Sequence, residues 1–210
     1  MVHPGLRRGA GALLALAVLC SSAADSTAGV VLADNLSETS GGAYSATGDS
    51  WLASSFGTDG SSYILQSVTL MLSRDSIGGE AAVDVYTDGG LEPGSLVATL
   101  AGPASVPGSS GPATFTASGV LLQANATYWV VLRAVTGEFL WSWAGSNDGS
   151  GAGFQTGSAT SDFAGSGWFY ADSYPFQMSV SASAVPEPGS AWLAAIGAAG
   201  VALAARRRRG

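Results

Sequence analysis

Apolar and polar residues alternate along this chain in short stretches, each bounded by Gly, Ser, Asp or Pro. Phe176-Gln-Met178-Ser-Val180-Ser-Ala182-Ser alternates without a break, the period of a strand with one buried face. Ser67 to Leu72 alternates nearly as well, and Ala81, Val83 and Val85 fall on the face opposite Asp84 and Tyr86. Thr127-Tyr-Trp-Val-Val-Leu132 is apolar on both faces, the pattern of a central strand covered on both sides. Phe139, Trp141 and Trp143 share a face at strand spacing. Asp88-Gly-Gly90, Pro93-Gly94, Pro107-Gly108, Asn147-Asp-Gly149 and Gly165-Ser-Gly167 supply the turns. No stretch between the termini sustains a period of 3.6. The pattern predicts an all-β fold of roughly ten short strands, an antiparallel β-sandwich of jelly-roll type. Residues 145–167, rich in Gly, Ser, Asn and Asp, are predicted as a long mobile connection.

The two ends read differently. Arg7 and Arg8 precede an apolar run from Ala10 to Cys20, and Ser22-Ala23-Ala24 supplies small residues for cleavage after Ala24. Residues 1–24 are therefore expected to be a secretory signal, handled by the Sec translocon and signal peptidase, with a start at Gly29 as the second choice. The run is too short to span a hydrocarbon core of about 30 Å. Leu19 before Cys20 is too bulky for a lipoprotein signal, and the residues after Arg7-Arg8 do not continue as a twin-arginine signal would. At the other end Val185-Pro186-Glu187-Pro188-Gly189 precedes an apolar stretch, and Arg206, Arg207, Arg208 and Arg209 follow it. The two prolines deny a helix at Glu187. A transmembrane helix is expected over 190–205, with the arginines holding its end in the cytoplasm. Its core of about 15 residues gives only ~22 Å, short for a permanent anchor. The division is thus 1–24, a body over 25–184, and a tail over 185–210.

Val-Pro-Glu-Pro, a short apolar helix and a terminal arginine cluster resemble the PEP-CTERM sorting signal of exopolysaccharide-producing Gram-negative bacteria. The resemblance covers residues 185–210. It implies a transient inner-membrane anchor, recognition by exosortase, cleavage near Pro186-Glu187-Pro188, and delivery to the cell surface or extracellular matrix. The body resembles the choice-of-anchor surface domains, most closely type R. Ser54-Ser-Phe-Gly-Thr58, the stretch Tyr63–Leu72, Val83-Asp-Val-Tyr86 with Pro93-Gly-Ser-Leu96, and Leu122 to Val130 carry that likeness. It implies an extracellular β-domain with no assigned catalytic residues.

Composition narrows the chemistry further. The chain of 210 residues has a net charge of −7, one His and one Cys. Both His3 and Cys20 fall in the expected signal, and the body keeps only Arg74 and Arg133 as cations. Fourteen acids and two arginines leave the body at −12, the opposite of a nucleic-acid surface. Without imidazole, thiol or ammonium, Ser-His-Asp and Cys-His catalysis, His-ligated zinc and Schiff-base chemistry are excluded. Aromatic platforms, carboxylates and hard-cation oxygen sites remain. Trp168, Phe169 and Tyr170 are the candidate carbohydrate contacts, because three consecutive strand residues cannot all face a core. Trp141 and Trp143 are read as core. Asp84 with Asp88, or Asn147 with Asp148 and Asp162, are the only candidates for a structural Ca²⁺, and their spacing matches no EF-hand. No catalytic residue, resident cofactor or catalytic metal is expected. Arg74 and Arg133 are expected to pair with acids at a sheet end. Asn35-Leu-Ser37 and Asn125-Ala-Thr127 fit a glycosylation pattern foreign to a bacterial tail. The expected function is that of an exported, non-enzymatic surface or matrix protein associated with exopolysaccharide. A carbohydrate-binding module is the alternative, and a glycoside hydrolase a distant third.

Overall fold

The computed structural model describes residues 29–75 and 78–186. Twelve antiparallel strands build two six-stranded sheets. In the first sheet, β1 (Gly29–Asp34), β12 (Met178–Ala184), β4 (Tyr63–Arg74), β9 (Phe139–Ala144) and β2 (Ser40–Ala46) follow one another, and β7 (Gly111–Leu122) pairs with the other side of β4. The second runs β11 (Phe169–Ala171), β10 (Phe154–Ser161), β3 (Trp51–Gly57), β8 (Thr127–Thr136), β5 (Glu80–Asp88) and β6 (Pro93–Thr99). From β2 onward the chain crosses between sheets after nearly every strand, and only β5–β6 and β10–β11 are sequential pairs within one sheet.

The period-two stretches explain the main core. Val68, Leu70 and Leu72 of β4, Phe139 and Trp141 of β9, and Val180 and Ala182 of β12 meet Leu52, Phe56, Val83, Val85, Val130 and Leu132 from the second sheet. In β4 the alternation changes phase between Leu65 and Val68, both fully buried. A bulge at Gln66 absorbs the extra residue, because the register with β7 and with β12 shifts there. Trp141 is the largest anchor of the first sheet. It is wholly buried, stacks on Phe176 at 4.7 Å, and donates its indole N–H to the Gln177 carbonyl at 2.9 Å.

Residues 145–167 are not the unbroken mobile connection predicted for them, since β10 occupies the middle of that span. Its sequence, Phe-Gln-Thr-Gly-Ser-Ala-Thr-Ser, lacks the bulk by which a strand is recognised. Small residues are required there because backbones approach closely. Gly57 N–H donates to the Gly153 carbonyl at 2.7 Å, and a Cβ on Gly153 would overlap the Gly57 carbonyl. Asn35 is likewise structural: 2% exposed, it accepts from Met178 N–H at 2.7 Å and donates to the Phe176 carbonyl at 3.3 Å. Asn125 has a left-handed φ of 52° and donates its N–H to the Asp59 carbonyl at 2.6 Å, a backbone region Asn tolerates better than most residues.

Trp141→Ala removes this ring and one of the two hydrogen bonds on the Gln177 carbonyl, which keeps that from Met71 N–H. The expected loss is about 3–5 kcal/mol of unfolding free energy, read as a lower midpoint in urea denaturation followed by tryptophan fluorescence.

Candidate functional site

The second sheet also buries much of its outward face. Trp129 and Val131 of β8, Ala53 of β3 and Ala159 of β10 form a second apolar cluster, flanked by Trp51, Tyr86 and Trp168. This face is the other half of the doubly apolar pattern at Thr127–Leu132, and no further layer covers it among the described residues. Around the middle of β5 and β8 it is filled. Arg133 Nε donates to Asp84 at 2.7 Å and its guanidinium lies 5.7 Å from the Trp51 ring, while Thr99 Oγ1 donates to the second oxygen of Asp84 at 2.6 Å. Asp84 is 1% exposed, so the pair neutralises a charge that would be costly alone. This pairing lies within the sheet rather than at its end, and Arg74 has no carboxylate within ion-pair distance among the described residues.

Toward one end the outward positions are small. Ser55 and Gly157 flank Trp129, and a cavity of about 330 Å³ opens there, walled by Tyr170 and by Leu91 of the β5–β6 turn. A Cβ on Gly157 would lie 2.6 Å from Ser55 Oγ and 3.2 Å from the Tyr170 ring, so the hollow depends on a glycine. Trp129 is the floor: 1% exposed, it meets Tyr170 edge-on at 6.2 Å and donates its indole N–H to Asp88 Oδ1 at 2.8 Å. Asp88 also accepts the N–H groups of Gly90 and Leu91 at 3.2 Å each, which fixes the turn. Across the cavity Asp172 accepts from Thr156 Oγ1 at 2.6 Å. Gln155 donates to Thr127 Oγ1 at 3.1 Å on the rim. The lining therefore carries two carboxylates, several hydroxyls and an amide, and no basic side chain. Burial pushes the Tyr170 phenol above its ordinary value, and the charge of Asp172, a hydrogen bond with it, and the charge of Asp88 push the same way.

Of the three aromatics proposed from sequence, only Tyr170 lines the cavity. Trp168 packs half-buried against the second cluster, and Phe169, 61% exposed, is not among the lining residues. Trp141 lies in the main core, and Trp143 packs against it, over Gly41 and Gly42 of β2. Asp84 and Asp88 do not act together: one serves Arg133, the other the turn and Trp129. Asn147 accepts from Tyr174 N–H, Asp162 accepts from Ser50 Oγ, and Asp148 N–H is bonded to Ser146 Oγ. Among the described residues no group of three or more His, Cys, Asp or Glu is placed to hold a metal ion. Trp129 and Asp172 were missed as site residues. The apolar outer face of β8 was the available signal for Trp129; nothing local marks Asp172.

The cavity shares a pole of the sandwich with both ends of the body. Thr127 pairs with Gly57 at the rim, Thr58 N–H donates to the Ala126 carbonyl, and Asn125 N–H donates to the Asp59 carbonyl. A few residues on, Val185 N–H donates to the Ser62 carbonyl at 2.9 Å, while Gly29 pairs with Ser183. Pairing then stops at Pro186, which has no N–H to give and is exposed. Residues 184–209 match the family model for the PEP-CTERM protein-sorting motif.

The chain carries a PEP-CTERM sorting motif. The motif implies an exported protein processed by exosortase, with transient membrane anchoring before surface display. It begins where strand pairing ends, so the sandwich is complete without it. No curated protein matches the chain. The expected cleavage after Ala24, the motif residues Glu187 and Pro188, the helix over 190–205 and Arg206–Arg209 lie outside the described residues.

Tyr63, Tyr86 and Tyr170 all have phenols raised above the ordinary value, with burial the first cause in each. A raised phenol contributes stability that is complete below the unfolded value and lost as pH climbs through the folded one. Alkaline titration followed at 295 nm is expected to show phenols ionising later than free tyrosine, and Tyr170→Phe is expected to remove one of them.

Proposed function

We propose that the protein is a non-enzymatic component of the cell surface or extracellular matrix, delivered by exosortase, and that its β-domain holds exopolysaccharide through the cavity at Trp129 and Tyr170. The likeness of the body to choice-of-anchor domains belongs to the same reading. The observation that carries delivery is the sorting motif at 184–209, which starts where the last strand ends. The observation that favours saccharide binding is the cavity itself. At about 330 Å³ it sits at the small end of ligand pockets, which run from roughly 300 to 1,000 Å³. It combines an exposed aromatic wall with hydroxyl, amide and carboxylate groups, the pairing that a sugar ring's apolar face and hydroxyl edge require. Asp88 and Asp172 both line the cavity, and a glycosidase would need two carboxylates in one cleft, but Asp88 already spends both oxygens on protein N–H groups. That engagement favours holding over hydrolysis.

Glu187→Ala is expected to block processing, leaving a membrane-bound precursor that still carries its arginines, as shown by cell fractionation and intact-mass analysis. Release of normally trimmed protein from this variant would defeat the sorting reading. Separately, the full chain in neutral detergent is expected to be retained on the producer's exopolysaccharide, with Tyr170→Ala reducing retention about tenfold, the equivalent of one stacked aromatic contact at its upper range. Equal retention of wild type and variant would remove the cavity from the account.

A further inference from the structure

We infer that the cavity selects a saccharide bearing a free, protonated amine, a de-N-acetylated hexosamine unit, over neutral and uronic-acid sugars. This rests on the saccharide reading above and adds the charge class of the ligand. The cavity is lined by Asp88 and Asp172 with no arginine or lysine beside them. The body's two cations do not balance them: Arg133 is committed to Asp84, and Arg74 does not line the cavity. The field inside is therefore negative. A uronate is repelled. A neutral sugar gains hydrogen bonds but leaves the charges uncompensated. An ammonium satisfies them.

Asp172 is the better partner of the two. It accepts from Thr156 Oγ1 at 2.6 Å and stands beside the Tyr170 phenol, with no backbone N–H bonded to it among the described residues. Asp88 is held by three donors and contributes mainly its charge. Tyr170 stands between them, its phenol feeling both carboxylates. Its ring offers a face to the sugar and an attractive π surface to the cation.

The test uses the full chain in neutral detergent, in mildly acidic buffer that keeps the amine protonated. The probes are a glucosamine tetramer, an N-acetylglucosamine tetramer and a galacturonate tetramer. Because the body is strongly acidic, Glu80→Gln serves as a control: it removes one charge at the start of β5, away from the cavity lining. The glucosamine tetramer is expected to bind about tenfold or more tighter than the acetylated one, as one charge-assisted hydrogen bond provides. Asp172→Asn is expected to abolish that preference, Glu80→Gln to leave it within about twofold, and the indole N–H resonance of Trp129 to shift on binding. Equal losses from Asp172→Asn and Glu80→Gln would mean diffuse attraction and overturn the inference. Equal binding of both hexosamine tetramers, still lost in Tyr170→Ala, would overturn the amine preference while leaving the saccharide site intact. Binding of none of the three would remove the saccharide reading itself.

Discussion

Strand β8 must bury two faces at once, and the rest of the structure follows from that demand. Tyr128, Val130 and Leu132 enter the core between the sheets, while Trp129 and Val131 point the other way. The first set is satisfied by the opposite sheet. The second set has no such sheet, so neighbouring strands must supply cover from their own outward positions. Trp51, Tyr86 and Trp168 do so, and Arg133 fills the middle through Asp84 and the Trp51 ring. Where Ser55 and Gly157 are too small to contribute, the cover is incomplete, and the gap becomes the cavity. The candidate site is thus a by-product of an apolar face that lacks a complete second layer.

The architecture was legible to the extent that side chains alternate. Met178 to Ser183 and Ser67 to Leu72 emerge as strands with their larger apolar members inward, Phe176 standing apart in an isolated bridge to Trp143, and Thr127 to Leu132 emerges at the centre of its sheet. What alternation does not record is closeness of approach. β10 escaped notice because its neighbours demand glycine and serine. Ser158 and Ser161 are buried there, and Ser161 Oγ accepts two N–H groups of the following turn. A segment chosen for thinness resembles a linker in composition while being paired on both sides within its sheet.

The site was legible by half for a related reason. Tyr170 could be singled out because three aromatics in succession cannot share one face. Asp172 could not, and Asp88 stood out only beside Asp84 as a candidate Ca²⁺ ligand, since acids beside turns are ordinary solvated residues until the fold sets them around one hollow. Trp129 carried the clearest unused clue. An outward tryptophan on a central strand implies a surface with something to cover.

The last consequence concerns leverage. The strand that leads to the sorting motif ends beside Ser62, and Thr58 to Ser62 spans at most about 14 Å of chain. The hollow and the point of departure therefore share one corner of the molecule. On the proposed function, the domain would therefore meet its polymer on the side from which its tail departs, and would hold a strand flush against the layer it is joined to, as a rivet does, rather than reach outward as a tentacle would. A strand already lying on that layer would meet it at high effective concentration.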